Sequence, residues 1–196
     1  MRPSEGVPDA LVTLSREVDA CALVVGRDLS GDVTRLMLQH SLCPVAVSPL
    51  SSPVPGEEEP LRVIGVAYDK SAGARFALSS AMQIASATGA RVELISIGPD
   101  AAEPEADTGA AHDAANEPVA IDVRVFNGDP AARLIEATDG LDLLLCGSHG
   151  RGRSLSAILG SVSGRLVREA HCPVLVVPLR IRNRATAPLG LTTAAG

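Results

Sequence analysis

From Leu61 onward, short aliphatic runs alternate with longer stretches whose apolar residues recur at helical spacing. Val63-Ile64-Gly65-Val66-Ala67 predicts a strand. Ser71 stands where a hydroxyl caps a helix, and the apolar face of Ala74, Ala77, Leu78, Ala81 and Ala85 carries that helix to Thr88, with Gly89 as its stop. Val92–Ile97 reads as a second strand. Residues 98–118 are polar and Ala-rich and read as a loop holding at most a short helix. Val119–Val125 alternates as a third strand. Pro130 suits the first position of a helix running through Thr138. Leu143–Cys146 is a fourth strand, Ser161–Ala170 a helix, and Val174–Val177 a fifth strand.

Strands separated by helices make βαβ units, and continuous aliphatic strands are those of a parallel sheet covered on both faces. Residues 61–178 are therefore expected to form one complete α/β domain. The Pro- and Glu-rich stretch 51–60 reads as a linker, and 179–196 as a disordered tail.

Residues 1–50 repeat the end of that domain. Leu42-Cys43-Pro44-Val45-Ala46-Val47-Ser48-Pro49 matches His171-Cys172-Pro173-Val174-Leu175-Val176-Val177-Pro178. Ala22–Gly26 matches Asp142–Gly147 in character, and Gly6-Val7-Pro8 matches Gly128-Asp129-Pro130. This first copy holds a helix, a strand, a helix and a strand, and lacks any counterpart of 61–125. It is also shorter inside: Gly26 to Cys43 is 17 positions, Gly147 to Cys172 is 25.

Composition narrows the chemistry. Aromatic residues are 2% of the chain and the formal net charge is −6, which together argue against a broad nucleic-acid surface. No apolar stretch is long enough for a membrane span, and no secretory leader is evident at the start. Cys21, Cys43, Cys146 and Cys172 make no C-x-x-C pair and read as buried free thiols of a reducing cytoplasm.

The stretch after the fourth strand concentrates the candidate chemistry. Gly147-Ser148-His149-Gly150-Arg151-Gly152-Arg153 continues to Gly160-Ser161, where the next helix starts. Ligands of open α/β sheets sit beyond the carboxyl ends of the strands. Glycine-rich backbone can present N–H groups as an anion nest, and a helix start adds its positive end. Phosphate fits such a place. The spacing is neither a Walker loop nor a dinucleotide fingerprint. A plain tight turn is the competing reading of the glycines, a simple helix cap that of Asp69, and an exposed loop position that of His149. Arg165 and Arg168 read as a solvated helix face.

Gly147-x2-Gly150-x9-Gly160-Ser161 resembles the nucleotide motif of the universal stress protein family. Val66-Ala67-Tyr68-Asp69-Lys70-Ser71 resembles that family's first-strand end, Gly128-Asp129-Pro130-Ala131 its turn into the third helix, and Cys172–Pro178 its closing strand. The resemblance implies an open five-stranded parallel sheet in the order 3-2-1-4-5 with helices on both faces, plus a degenerate partial copy over 1–50. It implies ATP, with or without Mg2+, as ligand. Gly147, Gly150, Gly160, Ser161 and Val162 would surround the phosphates and ribose, Asp69 would lie by the ribose and adenine, and Ile97 would meet the adenine through its backbone. It also implies pairing through the last strand, either in a homodimer or, here, as an intrachain pseudo-dimer of Val45–Ser48 with Val174–Val177. In the first copy Asp32 stands at the helix start that corresponds to Ser161, so that half is not expected to bind ATP.

The functional expectation is a cytoplasmic, nucleotide-dependent regulatory or stress-response protein without a catalytic constellation. An interaction module with a vestigial pocket and a slow ATPase are the alternatives. Ala22–Gly26 is expected to leave an open sheet edge.

Overall fold

The structure, a computed structural model, describes residues 6–27, 32–49, 60–98, 119–148 and 161–178. The linker, the 99–118 stretch, most of the glycine-rich loop, Gly150 and Gly160 with it, and the tail lie outside these residues.

In the first half, α1 (Val7–Glu17), β1 (Leu23–Gly26), α2 (Asp32–His40) and β2 (Val45–Ser48) follow one another. The second half holds β3 (Val63–Ala67), α3 (Ala72–Thr88), β4 (Arg91–Ile97), β5 (Ile121–Phe126), α4 (Pro130–Ala137), β6 (Leu143–Gly147), α5 (Ser161–Glu169) and β7 (Val174–Val177). α3 ends as its sequence dictates. Ser71 accepts the Ala74 N–H at its start, and Gly89 closes it in the left-handed region at φ 74° with its N–H on the Ala85 carbonyl. The third strand of the second half begins and ends later than its alternation implied, at Ile121–Phe126.

All seven strands form one sheet in the order β1-β2-β7-β6-β3-β4-β5. The five strands of the second half are parallel and run 3-2-1-4-5 by their own count. The five parallel strands expected of residues 61–178 are present, and among the described residues the sheet extends to seven because β2 pairs antiparallel with β7, as the repeat implied, through Val45↔Val176, Ala46↔Leu175 and Val47↔Val174. A closing strand rich in Val has unpaired backbone groups along one side, and the strand of the partial copy satisfies them.

The repeat is visible in the ladder itself. The Leu144 N–H donates to the Pro173 carbonyl and the Ser148 N–H to that of Val177; at equivalent positions Leu23 donates to Pro44 and Arg27 to Ser48. One apolar layer, with Met37, Val45, Val47, Leu134, Leu144 and Leu166, packs α1, α2, α4 and α5 on one face of the sheet. The other layer packs α3, through Ala77, Leu78, Ala81 and Met82, onto Ile64, Val66, Leu94 and Leu145. Met37, Leu78, Met82, Leu94, Leu144, Leu145 and Leu166 in these layers are fully buried, each contributing about 1.5–3 kcal/mol of transfer free energy. Among the described residues β1 lies at the edge of the sheet, with Val24 76% exposed.

The thiols divide. Cys146 and Cys172 are buried, and burial pushes both up to about 12. Cys21 is exposed and Cys43 half-buried, which corrects the reading of all four as core residues. Among the described residues β1 pairs with β2 alone, whereas β6 is flanked by both β7 and β3.

Candidate functional site

β3 is the switch point of the sheet. The chain leaves it toward β4 and β5 on one side and returns as β6 and β7 on the other. A crevice at the carboxyl ends of the strands is built into that topology. Asp69 follows β3, Gly98 follows β4 and Ser148 follows β6, so three chain segments end on the rim of this crevice.

The β3 segment is braced locally. Asp69 Oδ1 accepts the Ser71 N–H at 3.0 Å, an Asx turn that places Lys70 at φ 61° and aims the chain into α3. The cap of α3 is therefore Ser71, and Asp69 supports the cap rather than being it. On the β6 side, a Cβ added to Gly147 would lie 3.0 Å from the backbone of Gly73 in the first turn of α3. The two segments on either side of the switch point thus touch backbone to backbone. The need for glycine at 147 arises from backbone 74 positions away along the chain. On the β4 side, Gly98 has φ 120° and open space where a side chain would stand. Ile97 is half-buried just before it and packs against the α4/α5 layer.

The glycine-rich loop departs from a fixed point. Ser148 is buried, its N–H donates to the Val177 carbonyl, and its own carbonyl accepts the Ser163 hydroxyl at 3.3 Å. The Ser148 amide therefore belongs to the sheet and is not free to take part in an anion nest. Gly150 and Gly160 fall further along the loop, outside the described residues. Ser161 opens α5 and is exposed, while Val162 is half-buried against the core.

Arg165 is not a solvated bystander. It joins Asp129, the cap of α4, at 2.6 Å and Glu169 at 3.3 Å. The Ala132 N–H and then Arg165 hold the Asp129 carboxyl below its ordinary value. These contacts tie the two helices that flank the loop side of the site. In the first copy Arg27 takes the position of Ser148, and its guanidinium donates to the Ala170 carbonyl at the end of α5. Desolvation lowers the Arg27 pKa. That half uses the corresponding strand end as a contact between the two copies. Among the described residues no group of three His, Cys, Asp or Glu side chains could hold a metal ion, and no helix is long and apolar enough to cross a membrane.

Comparison with known proteins agrees with this geometry. Residues 100–178 match the model of the universal stress protein family. A universal stress protein of Mycobacterium tuberculosis is 35% identical over 74 residues, a match that takes in 38% of this chain and 27% of that protein. The crystal structure of a universal stress protein from Archaeoglobus fulgidus superposes with a TM-score of 0.67 at 21% identity, over 87% of this chain and 64% of that one. A universal stress protein solved in complex with cAMP is 28% identical with a TM-score of 0.50, over 61% of this chain and 98% of its own. The chain thus spans less than two thirds of the mycobacterial and archaeal proteins it matches. Residues 100–178 thus carry the similarity to the universal stress protein family, and the strand order of the second half agrees with the fold of its solved members.

Proposed function

We propose that this protein binds an adenine nucleotide, ATP in the first instance, in the crevice between the ends of β3 and β6, and acts as a nucleotide-dependent regulatory or stress-response factor. The observation that carries the reading is the switch-point geometry. Small residues end the strands there, Gly147 lies against Gly73, and the backbone beside Gly98 is open. A family relative of 28% identity in complex with cAMP supports the choice of an adenine nucleotide.

In this reading Asp69 faces the ribose and adenine, and the backbone at Ile97 meets the base. The segment from Gly150 to Gly160, with Ser161 and Val162 at the start of α5, holds the phosphates. The positive end of α5 favours negative charge there. Magnesium, where it takes part, arrives as the counterion of the phosphates. Residues 61–178 act as the binding unit, and 1–50 act as its partner strand layer rather than as a second binding site. Turnover is not part of the proposal.

Equilibrium binding of labelled ATP, ADP and cAMP to the purified chain tests it. Saturation at about 100 times Kd raises the stability by about 2.7 kcal/mol, a clear rise in melting temperature. Asp69→Ala weakens binding about tenfold, the equivalent of about 1.4 kcal/mol. Absence of both binding and a melting shift at millimolar concentrations of all three nucleotides overturns the reading.

A further inference from the structure

We propose that Cys21 and Cys43 form a reversible, peroxide-responsive disulfide that pins the edge strand β1 to β2. The register of the sheet sets the two thiols at matching positions of neighbouring strands' approaches. β1 and β2 are parallel, with Leu23 opposite Val45, and Cys21 and Cys43 each stand two residues before that pair. Leu23 and Val25 of β1 and Val45 and Val47 of β2 pack in the same apolar layer. Cys21 and Cys43 stand at bends at matching places just before the two strands, at the same end of the ladder. Neighbouring strands are about 4.8 Å apart, inside the Cα separation of about 4.4–6.8 Å that a disulfide spans.

The internal repeat supports the same juxtaposition. The positions equivalent to Cys21 and Cys43 are Asp142 and Cys172. Burial is the main cause of the raised pKa of the Cys172 thiol, and the Asp142 carboxylate is close enough to raise it further. Asp142 also has a structural duty, accepting the N–H groups of Arg62 and Val63 at the entrance to β3. In the first copy position 21 carries a thiol where the second copy has the Asp142 carboxylate. Cys21 is exposed, and Cys43 sits half-buried with Sγ 3.4 Å from the Ser41 hydroxyl.

The chemistry is balanced with hydrogen peroxide as oxidant. The Cys21 thiolate attacks one peroxide oxygen, forming the sulfenic acid and releasing hydroxide, which leaves as water. The Cys43 sulfur then attacks the sulfenyl sulfur, the S–O bond breaks, and the hydroxyl departs as a second water with the thiol proton. Two thiols are oxidised and one peroxide is reduced. Cys146 and Cys172 are inert under the same conditions because burial keeps them protonated.

The full chain treated with hydrogen peroxide, alkylated, digested with trypsin and analysed without reduction tests the proposal. Cys21 lies in the peptide 17–27 and Cys43 in 36–62. The expected product joins these two peptides within one molecule, is released by dithiothreitol, and costs the native protein two alkylatable thiols. In Cys43→Ser the Cys21 peptide stops at the sulfenic acid, trapped by dimedone. A linked peptide found only between two chains, or over-oxidised Cys21 beside intact Cys43 in the unmutated protein, overturns it.

Discussion

Gly147 at the end of β6 and Gly73 in the first turn of α3 meet without room for a side chain between them, the Cβ of any residue at 147 lying 3.0 Å from the Gly73 backbone. Gly147→Ala forces these segments apart by a few tenths of an ångström. The expected cost is about 1–3 kcal/mol, the usual range for overpacking. Thermal unfolding measures it, and under the proposed function the same variant binds ATP more weakly because the crevice walls shift. A variant as stable as the parent with unchanged binding would show that the contact does not shape the site.

The carboxylate of Asp142 holds the N–H groups of Arg62 at 2.7 Å and Val63 at 2.8 Å, 80 and 79 residues away along the chain. Asp142→Ala leaves both donors without their acceptor. Water can reach the Arg62 end, so the loss is about 1–2 kcal/mol. Urea unfolding of the variant reads this as a lower midpoint with an unchanged slope.

Glu93 gives the protein an acid-side instability. It is buried on β4 and bridges Arg91 at 2.8 Å and Arg124 at 3.0 Å. Burial pushes its carboxyl upward, but the hydrogen bonds from the two guanidinium groups outweigh this and leave it below its ordinary value of 4.5. A carboxyl depressed on folding stabilises the native state above its unfolded pKa and loses that contribution as the pH falls through the folded one. Stability is therefore expected to decline from about pH 4.5 downward. Glu93→Gln, which carries no charge at any pH, is less stable at neutral pH and shows a shallower decline. Equal slopes for both proteins would remove Glu93 from the acid response.

Removing residues 1–60 exposes the β7 edge. Val174, Leu175 and Val176 then present the backbone groups that β2 pairs in the intact chain. An apolar edge strand with free N–H and C=O groups recruits another. The shortened chain is expected to self-associate through β7, in sedimentation velocity, at concentrations where the full chain does not do so through that edge. A shortened chain that remains monomeric would contradict this.

The legibility of the fold varied with the range of the interactions involved. α3 could be written down in advance because its signals are local: a serine at the cap, alanines at helical spacing, a glycine at the end. β3, β6 and β7 were equally plain because each is a short aliphatic run between turn residues. The antiparallel pairing of β2 with β7 was readable only because the repeat marks them as equivalent strands. β5 was displaced because its alternation is half charged, and the pairing of Ile121 through Phe126 with β4 decides where it starts. Arg165 looked like part of a solvated face because nothing in its own helix announces Asp129, 36 residues earlier.

By itself the amino-acid order determined the elements, the repeat and the strand ends at which a ligand would be held, since caps, periodicities and glycine spacings act over a few residues. The tertiary structure alone decided that Gly73 and Gly147 touch, that the Ser148 amide is bonded to β7, and that Arg165 reaches Asp129. These are contacts between distant segments, and their register follows from burying both faces of the sheet at once rather than from any short stretch of sequence.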